Sequence, residues 1–114
     1  MDINKFTEKA REAVSEAQSL AAGMGHQETD VEHLALALAQ QEKGIVPRIL
    51  EQMGIQPRAL SVAIEGALRK RPSVSGGGID PTKIMITQRL ATVLNDAQNE
   101  AKRMKDEYVS VDHL

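Results

Sequence analysis

The sequence contains an internal repeat, in which the segment 7–34 resembles the segment 87–114. Eight of the 28 aligned positions are identical, and the alignment needs no gap. The matches extend beyond a single helix, since Val31-Glu32-His33-Leu34 is echoed by Val111-Asp112-His113-Leu114. Two copies of one helical unit can bury a shared apolar face that one copy alone would expose. The sequence therefore predicts a double repeat, with repeat one at 1–70, a linker at 71–82 and a partial repeat two at 83–114.

Apolar residues recur at steps of three and four over almost the whole chain, which is typical of amphipathic α-helices. Val, Ile and Thr never alternate with polar residues over a useful length, so no strand is predicted. The predicted fold class is therefore all-α, a helical double repeat whose second copy is incomplete. We expect five helices: one whose apolar stripe runs from Phe6 to Met24 and which Gly23 and Gly25 end, one starting at Thr29 or Asp30, one from about Ile45 to Met53, one opened by Pro57, and one from about Thr87 to about Met104.

For two of these helices the sequence also predicts a cap or an apolar face. Thr29 and Asp30 can both cap the second helix, and Thr29 has Glu32 three positions later, the spacing of a capping box. In the fourth helix, the spacing predicts one apolar face that carries Leu60, Ile64, Ala67 and Leu68.

Repeat two stops early. Leu114 corresponds to Leu34, near the start of the second helix, and no counterparts of residues 35–70 follow. We therefore expect this chain to be a fragment of a longer protein, in which the fifth helix lacks most of its cover. The apolar face of that helix is expected to form an exposed patch or to be hidden by self-association.

Charge and composition exclude several classes of partner. The net charge is −2, with 14 basic and 16 acidic residues, so there is no basic excess to neutralise nucleic-acid phosphates. The absence of cysteine excludes disulfides and thiolate zinc sites. His26 with Glu28 and His33 with Glu32 lack a third ligand at a useful spacing, so no metal site is predicted. Without a long apolar run, neither a membrane span nor a signal peptide is predicted, and a cytoplasmic protein is expected.

Four segments of the chain, taken together, resemble a known family. They are residues 5–13 (KFTEKAREA), residues 31–34 (VEHL) with their echo at 111–114 (VDHL), residues 68–77 (LRKRPSVSGG) and residues 104–110 (MKDEYVS). The first two resemble Clp N-terminal (Clp N) domains, and the last two are similar to ClpB-type AAA+ disaggregases in particular. The resemblance covers the whole chain.

The resemblance implies a helical double-repeat domain at the N-terminus of a large, hexameric, ring-forming ATPase. In that family, the domain captures unfolded or aggregated polypeptide and passes it to the ATPase rings. This chain lacks the Gly-x-x-x-x-Gly-Lys-Ser/Thr loop that cradles phosphates, so no enzymatic activity, catalytic residue or cofactor is expected in it. ATP and Mg²⁺ are expected for the parent protein. A docking module for a folded adaptor protein and a plain structural spacer remain open as alternatives.

Three polar positions match those implicated in the function of the family: Thr7, Asp106 and Asp112. Each also has an ordinary interpretation, respectively the N-cap of the first helix, a solvated turn residue and a partner of a helix dipole. If the three gather, they form an acidic, hydroxyl-bearing rim that can hold peptide amides or basic side chains. Glu32 is the repeat mate of Asp112. In related ClpC domains such acids resemble phosphoarginine sites, but Asp112 stands where that pattern has Glu and the linker is ClpB-like, so phosphoarginine recognition is not assigned.

Capture of polypeptide without sequence selectivity requires a shallow apolar groove. The candidates for such a groove are on the fifth helix, and plain core packing is the alternative interpretation for each. They are Ile86, Leu90, Val93 and Leu94.

Overall fold

The computed structural model describes residues 6–42, 44–73, 85–103 and 109–114 of the chain. Within these residues it contains five α-helices, two β-strands of two residues each and a short 3₁₀ helix. The all-α fold class is confirmed, and no helix in the described part is long and apolar enough to cross a membrane. The elements in order are α1 (Glu8–Gly23), β1 (Glu28–Thr29), α2 (Val31–Gln40), α3 (Ile45–Gln52), α4 (Pro57–Arg69), β2 (Met85–Ile86), α5 (Gln88–Arg103) and the 3₁₀ helix (Val111–His113).

Local signals in the sequence place most helix ends. Thr7 caps α1, and its hydroxyl oxygen accepts a hydrogen bond from the Ala10 amide at 3.3 Å. Gly54, with a φ of +79°, lets the chain leave α3 in a conformation that other residues rarely adopt. Pro57 opens α4, where its missing N–H costs no helical hydrogen bond. The observed ends agree with the predicted ones to within one or two residues.

Asp30, and not Thr29, caps α2. The Asp30 carboxylate accepts from the Val31 amide at 2.7 Å, and the ring of His33 accepts from the Asp30 amide at 2.8 Å. His33 thus takes the place that Glu or Gln usually holds in a capping box. Thr29 lies in β1, so the capping box between Thr29 and Glu32 that the spacing allowed does not form.

Two short parallel pairings join the first part of the chain to the last, and the expectation of no strand is wrong for them. Segments of two residues are too short to show an alternating pattern, so the sequence could not reveal them. The paired residues are Glu28 with Met85 and Thr29 with Ile86 between β1 and β2, and Phe6 with Val109 in an isolated bridge.

The two pairings are related by the same internal repeat that the sequence shows. The Thr7 amide donates to the Val109 carbonyl at 2.8 Å, and the Thr87 amide donates to the Thr29 carbonyl at 2.9 Å. The hydroxyls of Thr7 and Thr87 also cap α1 and α5 in the same way. The repeat boundaries themselves (1–70, 71–82 and 83–114) stay a prediction, and most of the linker lies outside the described residues.

The hydrophobic core lies between α1, α2 and α5. Alanines supply the small side chains of the packed faces, and larger aliphatic and aromatic side chains fill the space between the helices. The buried members of this core are Phe6, Ala10, Ala13, Val14, Ala17, Leu34, Ala37, Leu90, Leu94, Ala97, Ala101 and Val109.

α4 packs on α2 with a face that differs from the predicted one. Leu68 is buried as expected and Ser61 is buried as well, whereas Leu60 is 36% exposed and Ala67 lies on the surface. Ser61 can be buried because its hydroxyl donates to the Pro57 carbonyl at 2.9 Å, which satisfies its polar group within the helix. The apolar spacing alone does not show that a serine can hide its hydroxyl in this way.

Most of the exposed large apolar side chains lie on α3, on α4 and in the turn between them, while Met85 of β2 is 72% exposed, and the expectation of an uncovered α5 is wrong. Leu90 and Leu94 of α5 are 1% and 0% exposed, because they pack into the core with α1 and α2. None of the residues of α3 is buried. The large apolar side chains exposed in this region are Ile45, Ile49, Met53, Ile55, Leu60 and Val62, each between 36% and 67% exposed.

Candidate functional site

A polar junction joins the start of α5 to the start of α2, and we call it the Thr87 junction. The Thr87 hydroxyl accepts from the Leu90 amide at 3.1 Å, which caps α5, and donates to the Asp30 carboxylate at 2.8 Å. Asp30 is itself the cap of α2. One hydroxyl and one carboxylate therefore tie together the first turns of two helices that are far apart in the sequence.

Two arginines close over the Thr87 junction by binding two carboxylates. Arg71, just beyond α4, donates to Asp30 at 3.1 Å and also donates to Glu32. Arg89, in the first turn of α5, donates to Asp30 at 3.2 Å and to Glu32 at 2.7 Å. We call these four residues the arginine clasp. It connects the start of α2 both to the end of α4 and to the start of α5.

Both carboxylates of the arginine clasp remain ionised at neutral pH. Burial opposes ionisation of Asp30, but hydrogen bonds from Thr87 and a backbone amide, with the two guanidinium groups, lower its pKa below the ordinary value. Burial also opposes ionisation of Glu32, and the hydrogen bonds from Arg89 and Arg71 outweigh it and lower the pKa of Glu32. Glu32, one of the predicted site residues, is therefore held in an internal ion-pair network.

A second junction, which we call the Thr7 junction, joins the start of α1 to the 3₁₀ helix. It is the counterpart of the first in the internal repeat: the Ser110 amide donates to the ring of His113 at 2.9 Å, as the Asp30 amide does to His33. This junction opens on a cleft of about 280 Å³. The residues that line the cleft are Thr7, Lys9, Gln41, Gly44, Ile45, Arg48, Ser110 and Val111.

α3 forms one wall of the cleft and continues it as an apolar stripe. Ile45 lies in the wall, Ile49 follows four residues later, and Met53, the C-cap of α3, follows after four more, so the three side chains lie along one side of α3. They are 39%, 45% and 67% exposed, and we call them the α3 stripe. The cleft and the stripe together form a shallow surface with hydroxyls, two cationic side chains and an extended apolar side.

The polar residues proposed from the sequence fall in different places. Thr7 caps α1, its ordinary interpretation, and also lines the cleft. Asp106 lies outside the described residues, and so does the side chain of Asp112, so their gathering with Thr7 stays a prediction. Glu32 is in the arginine clasp, at the other junction.

The apolar candidates do not form an open groove on α5. Leu90 and Leu94 lie in the core, which is the alternative that the sequence left open, and their proposed place on a surface is wrong. Ile86 and Val93 are partly buried, and Ile86 packs against the core.

Two features of these junctions were not predicted. The α3 stripe had a local signal, three apolar residues at four-residue spacing in a helix too short to bury them all. The arginine clasp had no local signal in the sequence, because between 39 and 59 residues separate its arginines from its carboxylates. Arg71 was assigned to the linker instead.

The two histidines considered as metal ligands bind each other. His26 and His33 hydrogen-bond to each other, with ring nitrogens 2.8 Å apart. Among the residues that the structure describes, no group of three or more His, Asp or Glu side chains is arranged to hold a metal ion.

Comparisons with known proteins identify the fold. A family model of the Clp repeat (R) N-terminal domain matches residues 5–114. The chaperone protein ClpB of Nitratidesulfovibrio vulgaris is 54% identical over 114 residues, which are all of this chain and 13% of that protein. The N-terminal domain of Hsp104 from Candida albicans matches with a TM-score of 0.81 at 20% identity, covering 96% of this chain and 69% of that one. A complex of the ClpV N-domain with a VipB peptide matches with a TM-score of 0.73 at 20% identity, covering 94% and 62%.

These findings carry different weights. At 20% identity the likeness to the solved structures shows the fold alone. The ClpB match is close and covers the whole chain, which corresponds to the N-terminal domain of ClpB chaperones and spans 13% of the length of this relative. The family match covers nearly every residue. The chain therefore belongs to the family of Clp repeat N-terminal domains.

Proposed function

We propose that this chain is the polypeptide-recognition module of a ClpB-type, ATP-dependent disaggregase. It binds apolar segments of unfolded or aggregated polypeptide and passes them to ATPase rings outside this chain, which use ATP and Mg²⁺. The parent protein in this proposal is a cytoplasmic hexamer. The observation that carries the proposal is the cleft at Thr7, which continues into the exposed α3 stripe.

The α3 stripe is suited to apolar partners. No residue of α3 is buried, so its outer side chains contribute little to the core, and a contiguous apolar surface on a folded domain marks an interaction site. Covering half-exposed side chains of this size is worth about 1 kcal/mol each. An open cleft beside a helix surface also imposes little selection by shape, which suits a partner without a fixed sequence.

The polar part of the cleft can hold the backbone of a bound segment. The Thr7 hydroxyl can donate to peptide carbonyls, and Lys9 and Arg48 can do the same with charge-assisted hydrogen bonds. The Ser110 hydroxyl is 3.2 Å from Nδ1 of His113, which already accepts from the Ser110 amide, so it donates to that ring and can only accept from a bound segment. Asp106 and Asp112 are proposed to add acceptors for peptide amides at this rim. Capture through such contacts is weak, and weak capture is appropriate because a tightly held chain could not be passed onward.

Binding to a permanently unfolded model protein, followed by fluorescence anisotropy, tests this proposal. We expect saturable binding by the wild-type domain and a loss of about tenfold or more in the Ile45→Asp/Ile49→Asp variant, since two charges on the stripe remove the apolar contacts. Val62→Asp on α4 is the matched control, because Val62 is 60% exposed but does not belong to the α3 stripe or line the Thr7 cleft. Its affinity should stay within about twofold of wild type.

Other outcomes point to other functions. If the wild-type domain fails to bind the unfolded protein, the capture function is wrong. Saturable binding of one folded adaptor protein, without competition from unfolded protein, indicates the docking-module alternative. Sedimentation at several concentrations shows whether a second copy covers the α3 stripe, since self-association through it would weaken binding as the concentration rises.

A further inference from the structure

A buried pair of histidines links α2 to α4. His26 and His33 are 5% and 0% exposed, and Nδ1 of His26 lies 2.8 Å from Nε2 of His33. Nδ1 of His33 accepts from the Asp30 amide at 2.8 Å, at the start of α2. The His26 ring also forms a hydrogen bond with the backbone of Leu68, near the end of α4. Neither histidine lines the Thr7 cleft, so the proposed capture of polypeptide does not use them.

The neighbours of the two rings fix the positions of their protons. The Asp30 amide can only donate, so Nδ1 of His33 carries no proton and the proton of that ring is on Nε2. This proton points to Nδ1 of His26, which must accept it, so the His26 proton is on Nε2 and faces the Leu68 carbonyl. Three hydrogen bonds therefore run in one direction from α2 to α4, and both rings are neutral.

An additional proton cannot enter this chain without breaking it. The nitrogen left to protonate on each ring is Nδ1, and each Nδ1 already faces an N–H donor at 2.8 Å. A proton on either Nδ1 would place two N–H donors face to face, so the hydrogen bond at that nitrogen would break. Burial also disfavours the cation: with the nearby His26 and Arg71 it lowers the pKa of His33 to about 4, and burial and Arg71 lower the pKa of His26.

The surrounding charges do not compensate for this cost. Asp30 and Glu32 face His33 from α2 and attract a proton, whereas Arg71 repels one from its place after α4. Both carboxylates are already bound by Arg71 and by Arg89 of α5. A protonated histidine would therefore have to compete with two guanidinium groups for the same oxygens.

We propose that the His26–His33 pair is an acid-operated latch between α2 and α4. The neutral pair holds the first turn of α2 against the end of α4, and uptake of one proton opens the link between the rings. Asp30 is bound to both the latch and the arginine clasp, so opening the latch also loosens the contacts of Arg71 and Arg89. Acid thereby weakens the hold of α2 on the start of α5, which the arginine clasp still maintains.

The positions of the ring protons provide the first test. In long-range ¹H–¹⁵N spectra of the wild-type domain at pH 7, both rings should be neutral with the proton on Nε2. Lowering the pH should leave both neutral at pH 6. A ring of the pair that is protonated at pH 6, or that carries its single proton on Nδ1, overturns the proposal.

Hydrogen exchange of the Asp30 and Val31 amides provides the second test. After correction for the intrinsic rate, the open population of this turn should rise about twentyfold between pH 7 and pH 5, as follows from a pKa of 6.5 in the open state and about 4 in the closed state. The His26→Gln/His33→Gln variant is the control. Gln does not titrate, and at position 33 it suits the capping box. Its open population should change less than about twofold over the same range.

The same rise in the double variant and in the wild type would mean that other groups respond to acid, and the latch would be wrong. If the double variant does not fold, the ¹⁵N titration of the wild-type rings decides by itself, since an ordinary midpoint near 6.5 for either buried ring contradicts the mechanism.

Discussion

Replacing Asp30 with alanine removes three kinds of interaction at one point. Loss of the cap on the Val31 amide costs about 1 kcal/mol, and loss of the hydrogen bond from Thr87 costs about 1 kcal/mol more. The ion pair with Arg71 adds at most about 1 kcal/mol, and the one with Arg89 is screened by solvent because Arg89 is 62% exposed. We therefore expect Asp30→Ala to lower the free energy of unfolding by about 3 kcal/mol.

Two further variants separate the contribution of the Asp30 cap to stability from that of its charge. Asp30→Asn keeps a side-chain oxygen for the cap but removes the charge that holds the arginines, so it should cost only about 1 kcal/mol. Glu65→Ala is the matched control, since it removes an ion pair with Arg69 on the surface of α4 and should cost less than about 0.5 kcal/mol. Urea unfolding followed by circular dichroism measures all three, and 1 M NaCl should shrink the effect of Asp30→Asn by screening the charges.

The pH dependence of the Asp30→Ala effect has a definite sign. Because the pKa of Asp30 is lowered on folding from its ordinary 3.8, the stability it contributes is present above that value and is lost as the pH falls through the lowered pKa. The difference between wild type and variant should thus be nearly constant from pH 7 to pH 5 and should shrink below about pH 4. A cost below about 1 kcal/mol at pH 7 would refute the role of Asp30 as a structural joint.

Three other changes test the packing and the helix ends. Leu94→Ala should cost about 3 kcal/mol in urea unfolding, because Leu94 is fully buried, and a cost near that of a surface change would contradict its place in the core. Gly54→Ala should lower the melting temperature by a few degrees because its φ is +79°, whereas Gly66→Ala, inside α4 with nothing near its Cβ, should raise it, and equal shifts would refute this reasoning. Thr7→Ala should cost about 1 kcal/mol through the lost cap of α1, and Thr7→Ser should restore most of it, as calorimetry can show.

Local signals made the helices predictable. Three helix ends depend on a residue whose own chemistry acts at that point: the side-chain hydroxyl of Thr7, the missing backbone N–H of Pro57 and the positive φ of Gly54. The choice between Thr29 and Asp30 could not be made in the same way. It depends on β1, which forms only because Met85 and Ile86 come to lie beside it.

The burial of α5 could not be predicted because it depends on a partner surface. The sequence showed an apolar face on α5 and no following helices to cover it, so exposure was expected. The covering surface comes instead from α1 and α2, where small residues such as Ala13 and Ala17 leave room for Leu90 and Leu94. Exposed apolar side chains remain on α3, at Ile45 and Ile49, because no element in the described part of the chain covers the outer side of this helix.

Acid acts on the first turn of α2 in two stages. The latch loses stability as the pH falls from 6.5, the ordinary pKa of histidine, to about 4, the pKa of His33 in the folded protein. The carboxylates of Asp30 and Glu32 have pKa values lowered from 3.8 and 4.5, so the arginine clasp persists to lower pH. In the interval between the two stages, the arginine clasp and the hydrogen bond from Thr87 to Asp30 still hold the start of α5 to α2.

The two junctions differ at the position that Asp30 occupies in one of them. Their backbones share the threonine cap, the parallel pairing and the histidine that accepts from the amide three residues before it. Where the Thr87 junction has Asp30, the Thr7 junction has Ser110, which cannot bind a guanidinium group as a carboxylate does. Asp30 binds two arginines across one junction, which borders a cleft of about 310 Å³ lined by Thr87 and Arg71. Ser110 instead borders the cleft of about 280 Å³ that the α3 stripe continues. A repeated structural unit is thus tied by ion pairs at one junction and lies beside an exposed apolar stripe at the other.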